Sequence, residues 1–476
     1  MHRTGVPSGQ TQEPNHRLPG GRPTAGSPPG TGQEERLVEH GLDAYTLAVV
    51  AACVVVWSFV SGRLERWSIS APIAFLLMGL LVTHGPTRLV HVNPHSSTIL
   101  SLAEVTLAVV LFTDASRVNI HQLRHDLGLP VRLLAIGLPL TIGVGTATAF
   151  GLLPGIGVWV AASVGSIVAP TDAALGSTIM EDRRVPDRIR RLLNVESGLN
   201  DGIATPFVNL FLAGAISTET THSANLTHAV RELLVGVGVG VGIGLAGGWL
   251  LSWAVARAWS APEFRPLAVL GLALLSYGLA LHLEGNGFVA AFIAGMAFGS
   301  VFRVGLEDVV AFAERVGGLL ALMVWLMFGA ALVVPGFEAA GWREYVFAVL
   351  ALTVVRMVPV AASLAGSGLD RSTVALVGWF GPRGLASVVF GLIAYDTLDR
   401  AAANELLAVV VVTVTFSVVV HGLSAGPLAA RYGRHVQTRV GHGPEHGVTA
   451  PFRTRPGLEF RQATRGADPS DGRKDA

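Results

Sequence analysis

Ser163-Val164-Gly165-Ser166-Ile167-Val168-Ala169-Pro170-Thr171-Asp172-Ala173-Ala174 (residues 163–174) sets a proline and an aspartate inside an apolar run. The run extends over about residues 156–180, long enough to cross a bilayer as a helix. Proline at mid-span removes a backbone donor and clashes with the preceding turn, so the helix breaks or kinks there. A break at membrane depth frees carbonyls and amides, which are tolerated only inside protein or against a wet cavity. The aspartate adds a charge whose burial in lipid costs at least ~2.5 kcal/mol on insertion scales. The stretch therefore predicts an all-α, multi-pass membrane protein with its functional site at an interrupted helix.

A second interruption, Gly378-Trp379-Phe380-Gly381-Pro382-Arg383-Gly384, lies in the apolar run of about 371–395. Similar runs recur near 42–61, 70–84, 98–116, 130–152, 190–216, 229–258, 264–282, 286–302, 310–334, 343–365 and 402–430, about thirteen spans in all. Each interruption falls in about the fifth span of its half. Paired breaks at matching positions point to a transporter built from inverted repeats, with its site at the midplane. Half-helix ends carry partial charges. Asp172 beside one break and Arg383 beside the other are placed to neutralise them, and a freed carbonyl such as that of Thr171 is a cation ligand.

Asn194-Val195-Glu196-Ser197-Gly198-Leu199-Asn200-Asp201 brings two more acids into an apolar span. Ser197 and Asp201 are four apart and share a helix face, so the hydroxyl and the carboxylate can hold one ion. Asn200 can cap a broken end but cannot titrate. Deep carboxylates that accept either a proton or a cation are the minimum equipment of an exchanger, and one titrating carboxylate implies one proton per monovalent cation. Arg356 lies in another apolar span and does not deprotonate, so it needs an acid. Glu196 is the expected partner, in a structural role; pairing with Asp201 would hold that carboxylate ionised and spoil exchange. Asp114, ending the third span, either approaches the site or is a solvated helix end. Glu104 reads as interfacial, and His282 and His421 as helix-end or packing residues.

Composition agrees: 51% of the 476 residues are hydrophobic and 14% charged, with mean hydropathy +0.53, against about 25% charged in soluble domains. Arginine marks the faces. Arg63, Arg66, Arg117, Arg124, Arg132, the cluster Arg183–Arg191, Arg257, Arg265, Arg303, Arg315, Arg371, Arg431 and Arg434 fall in alternate loops. The positive-inside rule puts those loops in the cytoplasm, with the N-terminus outside and the C-terminus inside. Residues 1–41 are rich in proline and glycine and read as a disordered tail; 431–476 read as a short cytoplasmic tail. The lone Cys53 excludes a disulfide within the chain. The acids interrupting Arg183–Arg191 argue against nucleic acid, and neither a phosphate loop nor a nucleophile elbow marks an enzyme. No cofactor is expected.

Ala-Pro-Thr-Asp at 169–172, Glu-Ser-Gly-Leu-Asn-Asp at 196–201, Arg356 and Gly-Pro-Arg-Gly at 381–384 occur in an order that resembles the monovalent cation/proton antiporters of the NhaP and eukaryotic sodium/proton exchanger type. The resemblance covers roughly residues 42–430. It implies thirteen helices in two inverted six-helix repeats with a linking helix, and two crossing broken helices. A dimerisation part (about 42–129 and 217–340) would stay fixed while a core part (about 130–216 and 341–430) moves. By motif, Asp201 is the main cation and proton carboxylate, and Asp172, the Thr171 carbonyl and Ser197 join it around a transported sodium ion. Glu196 and Arg356 form the stabilising pair. Asn200, Pro170, Pro382 and Arg383 serve the breaks and their dipoles. Asp114 matches an acid that can face the ion from the dimer side. Asn200 before Asp201, in place of two aspartates, looks like the electroneutral branch. A homodimer in the cell membrane exchanging sodium or lithium for protons is implied, with potassium/proton antiport as the alternative and a cation channel as the more distant one. Gly198 and Pro382 depart from the family pattern.

Overall fold

A computed structural model describes residues 44–67, 69–85, 89, 97–118, 128–180, 182–217, 222–303 and 305–438. Residues Met1–Ala48 and Val49–Ala476 form two units, and the site lies wholly within the second. The described residues form helices α1 (Ala44–Leu64), α2 (Ala71–His84), α3 (Ser97–Ser116), α4 (Gly128–Leu152) and α5 (Val158–Ile167). After a helical turn at Ser177–Met180 come α6 (Asp187–Ser217), α7 (His222–Ala256), α8 (Arg265–His282), α9 (Gly287–Val301), α10 (Leu306–Ala339) and α11 (Trp342–Ser363). The last three are α12 (Arg371–Trp379), α13 (Leu385–Thr397) and α14 (Arg400–Thr438). Among the described residues nine helices are long and apolar enough to cross a membrane, and α2, α5, α9 and α13 are shorter apolar helices.

Apolar side chains divide by position. On α1, Val56 and Phe59 are exposed, as lipid-facing residues are. The helix α14 is instead mostly buried, with Val409, Val411 and Val412 fully enclosed, because it runs through the core. Small residues set the closest packing. A Cβ on Gly240 or Gly244 of α7 would lie 2.7 Å or 2.4 Å from the carbonyl oxygen of Ala290 or Ala294 on α9. Only a residue without a side chain admits that approach, the usual means by which helices pack tightly in a bilayer.

Both expected interruptions are present. Between α5 and α6, residues 168–176 leave the helix, and between α12 and α13 residues 380–384 do. A further interruption falls in α11 at Thr353, whose φ of −113° and ψ of −90° are not helical. The α14 helix runs eight residues beyond the expected end at 430. Ala425, Ala429 and Tyr432 are buried in a cluster with Met180, Val185, Ile189 and Val377, and that burial carries the helix on to Thr438. The expected N-terminal tail lies outside the described residues.

Candidate functional site

The two breaks meet and cap each other. The amide of Asp172 donates to the carbonyl of Pro382 at 2.8 Å. One carboxylate oxygen of Asp172 accepts from the Leu385 amide at 3.0 Å, and the other from the Ala174 amide at 2.6 Å. A negative charge thus caps the positive N-terminal end of α13. In return, Arg383 Nη1 donates to the carbonyls of Ala169 (2.6 Å) and Pro170 (3.3 Å), and Ser387 Oγ donates to that of Ile167 (2.7 Å). A cation and a hydroxyl therefore close the negative C-terminal end of α5. Gly384 makes the contact possible: a Cβ there would sit 1.9 Å from Asp172 Oδ2. Arg383 is fully buried, and Nη2 also reaches the Ala351 carbonyl (3.2 Å), next to the break in α11.

The acidic helix α6 joins this crossing through side chains. The Thr171 hydroxyl lies 3.1 Å from Ser197 Oγ and accepts from Asn200 Nδ2 at 2.6 Å. All three residues are buried. The sequence pointed to the Thr171 carbonyl and to a capping Asn200; the observed contacts use the Thr171 hydroxyl and tie Asn200 to it. Asn200 Oδ1 is buried and has no protein partner among the described residues. Asp201, one turn beyond Ser197, is half-buried, and its carbonyl accepts from Thr205 Oγ1. Thr205 and Val208 on the same stripe are fully buried, so the partial exposure belongs to Asp201 itself.

Glu196 Oε1 and Arg356 Nη1 are 2.6 Å apart, their side chains 3% and 4% exposed. Asp114 is half-buried in the last turn of α3. Glu104, expected to be interfacial, is half-buried and accepts from Tyr277 of α8 at 3.1 Å. His421 of α14 is buried against Ser417 and Trp379.

Sequence reasoning missed Ser417, whose hydroxyl accepts the Arg383 amide at 2.6 Å. Its signal was a serine and a histidine four apart in a valine-rich stretch of α14. Also missed was Pro206 inside α6, which cannot donate to the Gly202 carbonyl beside Asp201.

The profile of the family described as sodium/hydrogen exchanger, transmembrane, matches residues 49–431. A K(+)/H(+) antiporter NhaP from Alkalimonas amylolytica is 24% identical over 402 residues, covering 82% of this chain and 67% of the relative. A K(+)/H(+) antiporter NhaP2 from Shewanella sp. (strain MR-4) is 28% identical over 260 residues, covering 53% and 43%. The Na(+)/H(+) antiporter ApNhaP of Aphanothece halophytica is 23% identical over 417 residues, covering 84% and 76%. The matches thus span from under half to about three quarters of the relatives' own lengths. The fold is shared with the sodium proton antiporter MjNhaP1 from Methanocaldococcus jannaschii, solved at pH 8: TM-score 0.67 at 18% identity, covering 81% of this chain and 98% of that one. With the profile matched over most of its length, this chain belongs to the sodium/hydrogen exchanger transmembrane family, a family of transporters rather than enzymes.

Proposed function

We propose that the protein is an electroneutral antiporter exchanging sodium or lithium for protons by alternating access. The observation that carries this reading is the attachment of α6 to the crossing of the two breaks through Thr171, Ser197 and Asn200, with half-buried Asp201 one turn away. Hydroxyl, carbonyl and carboxylate oxygens suit a hard monovalent cation. Asp201 binds either the ion or a proton, and competition for one carboxylate makes the exchange obligatory. Asp172 contributes charge beside the ion while capping α13, Asn200 Oδ1 adds an oxygen, and Asp114 faces the ion from the third helix. Glu196 and Arg356 act as a lock between α6 and α11.

The moving core comprises about residues 130–216 and 341–430, and the fixed dimerisation part about 42–129 and 217–340. The protein works as a homodimer in the cell membrane, with the arginine-rich loops and the C-terminus in the cytoplasm. Two of the relatives described are named for potassium and one for sodium, so potassium/proton antiport is the second reading. In proteoliposomes with a pH dye, sodium, lithium and potassium are each added to the wild type and to Asp201→Asn. The substitution abolishes cation-driven proton movement; unchanged movement overturns the assignment. Currents without proton countermovement would instead indicate a channel.

A further inference from the structure

The second break is held from outside the crossing, by one face of α14. Ser417 Oγ accepts the Arg383 amide at 2.6 Å and lies 3.1 Å from His421 Nδ1. His421 Nε2 lies 2.9 Å from the Trp379 carbonyl. Nδ1 also lies 2.9 Å from the Ser417 carbonyl, so each ring nitrogen faces a carbonyl and the ring bridges Ser417 and Trp379 in either neutral tautomer. The contacts thus run without a gap from the Arg383 amide, which donates to Ser417, through the His421 ring to the Trp379 carbonyl on the other side of the break. Two more contacts extend this run. Trp379 Nε1 donates to Ser424 Oγ at 3.0 Å, and the Thr373 and Tyr432 hydroxyls are 2.9 Å apart. Ser417, His421, Ser424 and Tyr432 recur at helical spacing and share one face. Ser417 and His421 are almost fully buried, where an unpaired backbone amide is costly.

The consequence reaches the ion site. Arg383 is fixed at its amide by Ser417 and at its guanidinium by the carbonyls of Ala169 and Pro170, the two residues before Thr171. We propose that Ser417 and His421 are positioning residues for the cation site: they fix Arg383, and through it the loop that presents Thr171 and Asp172. His421 acts here as a neutral hydrogen-bonding ring and carries no transported proton. The charged groups on neighbouring elements that face it, Arg383 and Arg356, are both cations.

The inference rests on the antiport reading, so its test has two arms. In proteoliposomes, Ser417→Ala and His421→Ala raise the apparent KM for the cation roughly ten-fold, the scale of one lost buried hydrogen bond, with little change in maximal rate. Ser417→Thr restores the hydroxyl. His421→Gln restores a neutral hydrogen-bonding side chain in place of the ring and keeps the wild-type pH profile. A wild-type KM in both alanine variants overturns the proposal, and so does a shifted pH profile in His421→Gln, which would make the ring a proton carrier. In the second arm, hydrogen exchange of the full-length protein in detergent reads the peptide spanning 380–386. It exchanges faster in both alanine variants, and unchanged exchange overturns the proposal even if the wild type moves no cations. A wild type without exchange activity, but with the expected change in protection, would overturn the antiport reading alone.

Discussion

Replacing Glu196 by glutamine should destabilise the protein more than replacing Arg356, although the two are partners. Their bridge is 2.6 Å long and almost wholly buried. Arg356 Nε and Nη2, and Glu196 Oε2, have no other protein partner among the described residues. Arg383 is fully buried within electrostatic reach of both. Two guanidiniums thus share the field of one carboxylate at this point of the crossing. Stripping one partner from a buried pair costs about 3–5 kcal/mol, a large part of a typical stability of ~5–15 kcal/mol. Glu196→Gln leaves Arg356 without its carboxylate and beside a second buried cation, Arg383, and belongs at the upper end of that range. Arg356→Gln leaves Glu196 facing Arg383 and belongs at the lower end. The double variant removes both charges together, so the coupling energy should be at least ~2 kcal/mol. Thermal unfolding of the purified protein in detergent, followed through its nine tryptophans, measures all four corners of the cycle. Equal single losses that add in the double variant would refute both the coupling and the asymmetry.

Two further outcomes follow from the packing. Gly384→Ala places a methyl 1.9–2.4 Å from the Asp172 side chain, so the carboxylate must leave the end of α13; an overpacking cost of about 1–3 kcal/mol and loss of transport are expected, and a variant with full stability and transport would refute the capping geometry. In the loop before α6, the hydrogen bond from Arg184 holds the Asp182 carboxylate below its ordinary value of 3.8. A depressed folded value means that Asp182 contributes stability above that ordinary value and loses it as pH falls through the lower one. Protection of residues 182–190 in hydrogen exchange should therefore weaken on acidification below about pH 4, and Asp182→Asn should flatten that dependence.

Much of the site was legible because lipid makes certain residues expensive. Asp172, Glu196, Asp201, Arg356 and Arg383 stand out in apolar runs where a charge without a purpose would be costly, and Pro170 and Pro382 mark breaks because proline cannot donate. The partners were harder to read. Ser417 is an ordinary residue in a membrane helix, and its importance comes from lying opposite the Arg383 amide. The break in α11 was invisible because Thr353 is no breaker by type; Pro359 lies further along the same helix. The extension of α14 was missed because Arg431 and Arg434 read as solvent, while Tyr432 between them is buried.

On the antiport reading proposed above, burial also separates scaffold from transport among the acids of α6. A carboxylate that locks two helices must be dry and permanently paired, and Glu196 is 2% exposed with Arg356 against it. A carboxylate that trades protons for cations must instead be reachable, and half-buried Asp201 lies five residues further along the same helix. The crossing needs its own charges because two broken helices present unsatisfied ends to one another. Arg383 meets one end and Asp172 the other, so the end charges are balanced at the crossing itself. On the proposed reading, Asp201 would then change between its protonated, cation-bound and ionised states without the crossing coming apart. A transporter that used its exchanging carboxylate as a helix cap would weaken its own fold at each protonation. Keeping the two duties on different side chains lets the ion site cycle while the breaks around it stay closed.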